Sequence, residues 1–195
     1  MRKETDYIES RLGKILEKTG FKVFTSYKPI GTDAGEIDLI AIYGNHVIIA
    51  EVKSTYIRSS IQEIHEYKNF TLNKASYQLD KKVEYIKKYF LKEHFSDLSE
   101  VVLHTWVIDT TLEFDHEYIG DHLKVSLDEI IISLNGHKDF MDSFVNSDFD
   151  LKKSIDRVDP IQFLESIENN LFWNKQIGNY DDNLQGMLQK LSSKM

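Results

Sequence analysis

The stretch Gly35–Ser54, GEIDLIAIYGNHVIIAEVKS, constrains the fold more than any other part of this chain. Ile37–Tyr43 and His46–Val52 are runs rich in Ile, Val and Ala, a composition suited to strands. Gly44-Asn45 between them fits a two-residue hairpin loop, with Gly44 supplying the positive φ of a type II′ turn. With Tyr43 opposite His46, Ile42 faces Val47, Ile40 faces Ile49, Asp38 faces Glu51 and Glu36 faces Lys53. Strand side chains alternate with period two, so Glu36, Asp38, Glu51 and Lys53 project from one face.

The rest of the chain places elements around this hairpin. Thr5–Thr19 reads as a helix, with Ile8, Leu12, Ile15 and Leu16 on one side and Gly20 as its stop. Phe21–Tyr27 reads as a strand, Lys28–Gly35 as a loop, and Ser54–Asn69 as a lid or a broken helix. Thr71–Phe95 is a strongly amphipathic helix whose apolar face runs Leu72, Ala75, Leu79, Val83, Ile86, Phe90. Val101–Asp109 reads as a buried strand. Leu127–Leu134, Ile161–Phe172 and Asn183–Leu191 read as helices, with His137–Asp150 as an acidic linker. Apart from its acidic cluster the hairpin is apolar on both faces, so helices must cover both. The expected fold class is α/β: an αβββαβ core, a mixed sheet sandwiched by helices, followed by a mostly helical C-terminal extension. The expected division is a core over 1–135 and an extension over 136–195.

Composition narrows the setting. The net charge of −8 is uneven: residues 1–95 carry 16 Lys and Arg against 13 Asp and Glu, whereas residues 96–195 carry 8 against 19. The hairpin-bearing half is therefore mildly basic, which suits phosphate binding on one face. There is no cysteine, which excludes disulfides and thiolate metal sites. No apolar run reaches the roughly 20 residues that cross a bilayer. The opening MRKETDYIES turns acidic at once and lacks a signal-peptide apolar core. A cytoplasmic protein without membrane association is the expectation. There is no glycine-rich phosphate loop, nucleophile elbow or dinucleotide fingerprint, and the seven histidines show no metal-ligand spacing.

Two carboxylates directly opposite each other on a ladder repel. A divalent cation turns that repulsion into attraction, because hard ions take oxygen ligands. The alternative is a solvated strand end with Lys53 neutralising one acid.

The element order, with GEIDLIA on one strand and EVKS on the next, resembles the PD-(D/E)xK nuclease superfamily. Within it, the phrases are similar to the Holliday-junction-resolvase-like branches and to the nuclease-related domain. The resemblance covers about residues 5–110, and the remainder matches no recognisable family. It implies a restriction-endonuclease-like fold in which Asp38 and Glu51 bind Mg2+, or Mn2+ as a substitute, and Lys53 orients or activates the attacking water. The carbonyl of Val52 is a further implied ligand. The family's proline before the aspartate is Ile37 here, a change that removes no functional group.

Accessory residues follow. Many superfamily members add a glutamate from the first helix, and Glu9 is the choice here, although Asp6-x-x-Glu9 also reads as a capping box. Glu36 either pairs with Lys53 or contacts a second metal. Lys74, Gln78, Lys81, Tyr85 and Lys88 form a basic stripe on the long helix, a phosphate track or a solvated face. Of these, Lys74, Gln78 and Lys81 are the nucleic-acid-binding candidates. Relatives with a Gln-x-x-x-Tyr pattern would carry Tyr where this chain has Lys82. The expected function is a Mg2+-dependent DNA endonuclease. The alternatives are a catalytically silent nucleic-acid-binding or interaction module of the same fold, or a subunit of a larger repair or defence assembly. The acidic second half suits a homodimer contact or a protein partner.

Overall fold

The hairpin forms in the register that its sequence dictates. In the computed structural model β2 (Ile37–Tyr43) pairs antiparallel with β3 (His46–Lys53) from Tyr43↔His46 to Leu39↔Ala50. Gly44 turns the corner at a φ of 57°. The structure describes residues 2–30, 34–134, 158–171 and 173–174, and the chain divides into two compact units, Met1–Ile130 and Ile131–Met195.

The first unit is built on a six-stranded mixed sheet. β1 (Lys22–Tyr27) pairs antiparallel with β2, and β4 (Val102–Asp109) pairs parallel with β3. β6 (His122–Ser126) pairs parallel with β4 and antiparallel with the short β5 (Tyr118–Ile119), giving the order β1-β2-β3-β4-β6-β5. Helix α1 (Arg2–Lys18) approaches β1 closely at Gly13, where a Cβ would lie 2.8 Å from Thr25 Cγ2. Thr25 and Val23 pair with Leu39 and Ala41, so α1 covers that face of the sheet. On the opposite face Phe24 meets Phe90 edge-on at 5.4 Å.

Phe90 belongs to a helical run from Ile61 to His94. It comprises α2 (Ile61–Glu66), α3 (Asn73–Tyr85) and α4 (Leu91–His94), with Tyr67–Leu72 and Ile86–Phe90 in wider i→i+5 turns. All six apolar positions expected on its face, Leu72 to Phe90, are buried. The five larger ones each contribute roughly 1.5–3 kcal/mol through removal from water, and the Ala75 methyl roughly 0.8 kcal/mol. The run begins earlier than expected because Ser60 caps it, its hydroxyl accepting the Glu63 N–H.

Strands β5 and β6 lay outside the sequence reading. Lys124 marks β6 as an exposed segment by composition, yet its side chain is fully buried. Burial lowers its pKa, and the ammonium is tolerated because it donates to the Thr111 carbonyl and lies 3.5 Å from Asp115. Helix α5 (Leu127–Leu134) follows with the expected boundaries. In the second unit α6 (Pro160–Glu168) is capped by Asp159 and closes by Asn170 in left-handed backbone, short of the Phe172 expected. The acidic linker 137–150 and the helix over 183–191 fall outside the described residues.

Candidate active site

Because β2 and β3 are antiparallel, the start of one lies beside the end of the other. Asp38 and Glu51 therefore meet at one end of the sheet, beyond the last paired residues Leu39 and Ala50. There Asp38 Oδ2 accepts the Val52 N–H at 2.8 Å, a charge-assisted bond that ties the two strand ends together. Lys53 Nζ donates to Glu51 Oε1 at 2.6 Å and lies 3.3 Å from Gln78 Oε1 on α3. One turn further along α3, Lys82 Nζ donates to Asp38 Oδ1 at 3.0 Å and to Glu51 Oε2. Burial, then the charge of Glu51, raises the Asp38 pKa above the ordinary carboxylate range, partly offset by Lys82. Burial opposes the Lys82 charge, but Asp38 and Glu51 outweigh it and its pKa is raised. Two convergent carboxylates on a common cationic partner are a donor set that a hard divalent ion fits.

Glu9 reaches the same cleft from the opposite face of the sheet. Helix α1 starts at Arg2, so Asp6 and Glu9 lie in its interior and form no N-terminal capping box. Glu9 is buried, and its carboxylate accepts from Ser26 Oγ at 3.3 Å. Ser26 occupies left-handed backbone at a φ of 50°, a strained conformation for a residue with a Cβ. The strain resets the strand: Phe24 and Tyr27, three apart, both meet Phe90 edge-on at 5.4 Å. Burial, then the Asp38 charge, raises the Glu9 carboxyl to about 7. A raised carboxyl pKa costs stability once the unfolded-state group ionises while the folded one keeps its proton, so the penalty grows from about pH 4.5 and is complete above about pH 7. Glu9→Gln in EDTA is therefore expected to match wild type near pH 4 and to exceed it by about 2–3 kcal/mol at pH 8, read by urea unfolding.

Of the segment Ser54–Asn69, Ile61–Asn69 is the broken helix expected, passing from α2 into the wider turn, whereas Ser54–Ser60 is non-helical. Thr55 N–H donates to Thr110 Oγ1 at 3.0 Å, and that hydroxyl donates back to the Thr55 carbonyl at 2.8 Å. Beneath it lies the fully buried Asp109 carboxylate at the end of β4. It accepts from Thr55 Oγ1 at 2.7 Å, from the Thr110 N–H at 2.6 Å and from the Tyr67 hydroxyl. Burial and the Asp109 charge push the Tyr67 pKa well above its usual range. The Arg58 guanidinium carbon lies 3.3 Å from the centre of the Tyr67 ring, and Arg58 also binds Thr111 and Glu113. Thr55, Arg58 and Tyr67 form one wall of an open cleft of about 660 Å³ that also contains Glu9, Glu36, Asp38, Glu51, Val52 and Lys53.

The nuclease-related domain (NERD) family model matches residues 5–110, the region that contains every one of these cleft residues. The chain belongs to this family. Its membership and its mixed sheet between helices place it in the PD-(D/E)xK-like nuclease superfamily. Among solved structures, the small subunit (R.BspD6I2) of the heterodimeric restriction endonuclease R.BspD6I is similar, at 12% identity and a TM-score of 0.38. The match covers 85% of this chain and 89% of that one. No curated protein matches the chain.

Of the residues singled out in this nuclease-related domain, Asp38, Glu51, Val52, Lys53, Glu9 and Glu36 share the cleft. Glu36 lies 3.5 Å from Lys28, so the expected Glu36–Lys53 pairing gives way to Lys53–Glu51. Gln78 joins through Lys53, whereas Lys74 and Lys81 do not line the cleft; Lys81 sits 5.1 Å from the Tyr77 ring. Lys82, which binds both Asp38 and Glu51, is the member of this cluster that sequence reasoning missed. Its signal was the Gln78-x-x-x-Lys82 spacing, which puts both side chains on one helix face. Ser26 and Asp109 carried no signal. Outside the cleft, Asp115, His116 and Glu129 present ligand-type atoms within 4.8 Å of one another, with His116 Nε2 2.6 Å from Glu129 Oε2. That grouping, invisible in histidine spacing, is a second set of metal-capable side chains. No helix among the described residues is long and apolar enough to cross a membrane.

Proposed function

We propose that this protein is a divalent-metal-dependent nuclease, with DNA as its substrate and Mg2+, or Mn2+ in its place, as its ion. The observation that carries this reading is the convergence of Asp38 and Glu51 with Lys53 and Lys82 at one end of an open cleft. Asp38 and Glu51 would hold the ion, with the Val52 carbonyl and Glu9 as further ligands. The ion would supply Lewis-acid stabilisation of charge building on the phosphoryl oxygens. Lys53, held by Glu51 and Gln78 and partly open to solvent, orients the attacking water or steadies the developing negative charge. Asp38, through the Val52 N–H, keeps the strand ends from parting and so fixes the spacing of the two carboxylates.

The charge of the cleft bears on substrate binding. Seven carboxylate residues and only two basic ones line it, so a polyanion approaches only when divalent ions neutralise the wall. Tyr56 and Phe70, both exposed at the same cleft, offer faces on which bases can stack. The nuclease-like core extends over 1–135, with a helical extension over 136–195, and the acidic C-terminal half, 96–195, serves contacts with a second copy or a protein partner.

The test is cleavage of supercoiled, linear and branched DNA with Mg2+, Mn2+ or EDTA. Wild type is expected to cut in the metal ions alone. Lys53→Met is expected to lower the rate by about 10²-fold or more at unchanged thermal stability, since Lys82 still neutralises Glu51. Equal cutting by Lys53→Met, or cutting in EDTA, would refute the mechanism.

A further inference from the structure

Lys82 stands out among the charged groups of this chain. Its side chain is almost completely buried, it comes from the last turn of α3, and its ammonium binds both carboxylates that define the site. Burying an ammonium is tolerated only where anions surround it, and Asp38 and Glu51 are those anions. The same pair would repel if left alone. Lys82 thus holds the two acids together and occupies the lone pairs that an ion between them would need. Gln78, one turn away, holds Lys53 on the outer oxygen of Glu51, so the two lysines divide Glu51 between them.

We propose that Lys82 is the resident counter-cation of this site: a divalent ion binds between Asp38 and Glu51 only by displacing its ammonium, and Lys82 thereby sets the metal affinity. The proposal rests on the reading of Asp38 and Glu51 as a metal-binding pair. The physical basis is competition between like charges for shared oxygens. An ion and an ammonium cannot occupy the same place, and side by side they repel. The four-carbon stem of lysine allows the ammonium to withdraw without movement of the helix. In the metal-free protein the carboxylates are held apart from collapse or spreading, so the ligands are already in place when the ion arrives.

The experiment is calorimetric titration of Mn2+ into wild type and Lys82→Met, with thermal unfolding of both in EDTA and in Mn2+. Lys82→Met is expected to bind Mn2+ about tenfold more tightly than wild type. It is also expected to melt lower in EDTA and to regain more of its stability on adding Mn2+. Wild-type binding with equal or weaker binding by the folded variant would overturn the counter-cation while leaving the metal pair standing. Absence of Mn2+ binding in both proteins would overturn both readings. Should Lys82→Met not fold, wild type labelled with 15N-lysine answers instead. The ammonium resonance of the buried, ion-paired lysine must shift or vanish at saturating Mg2+, and its persistence unchanged would overturn the displacement.

Discussion

Asp38→Asn is expected to reduce metal-dependent DNA cleavage by about 10³-fold or more, with the protein still folded. The substitution keeps the shape of the side chain and an oxygen to accept the Val52 N–H, so the strand ends stay joined. It removes one of the two negative charges through which a divalent ion would be held. Folding should change little, because two effects oppose. The variant loses the Asp38–Lys82 attraction and also loses the repulsion between Asp38 and Glu51. Cleavage assays and thermal melts on the same preparation separate chemistry from stability. Cleavage by the folded variant within about tenfold of wild type would remove Asp38 from the mechanism.

Asp109→Ala is expected to be the most destabilising single change in the described core, costing about 3–5 kcal/mol. The carboxylate is fully buried at the end of β4 and accepts from Thr55, Thr110 and Tyr67. Its removal leaves the buried Tyr67 hydroxyl and the partly buried Thr110 N–H without their acceptor. It also removes the Thr55 hydroxyl's tie between the Ser54–Ser60 segment and β4, so cleavage should fall along with stability. Asp109→Asn should cost less, because the amide oxygen still accepts while its NH2 meets some of the same donors. Urea unfolding of the three proteins gives the order. Stability of Asp109→Ala within about 1 kcal/mol of wild type would show that the network is not what secures this wall.

How much of this was legible in the chain varied with the kind of signal. The long helix from Leu72 to Phe90 showed its buried face as a regular spacing of apolar residues, and that face is buried throughout. β6 was hidden because Lys124 and His122 read as solvent-facing, whereas Lys124 finds Thr111 and Asp115 and His122 finds Thr105 and Asp80. The Ser54–Ser60 segment had no periodicity to read, since reciprocal side-chain and backbone bonds to Thr110 hold it. Glu9 was ambiguous between ligand and cap until the helix start at Arg2 took the cap away.

The hairpin register, and with it the meeting of Asp38 and Glu51, was determined by the sequence alone. Strand alternation has a period of two and the Gly44-Asn45 turn sets its origin, so both are local properties. Which cation answers those carboxylates was decided only by the tertiary structure. Lys53 is two residues from Glu51 and visible in the motif, but Lys82 is 44 residues from Asp38 and 31 from Glu51. Its place depends on how α3 lies across the sheet, which many packed side chains settle together and no local pattern records.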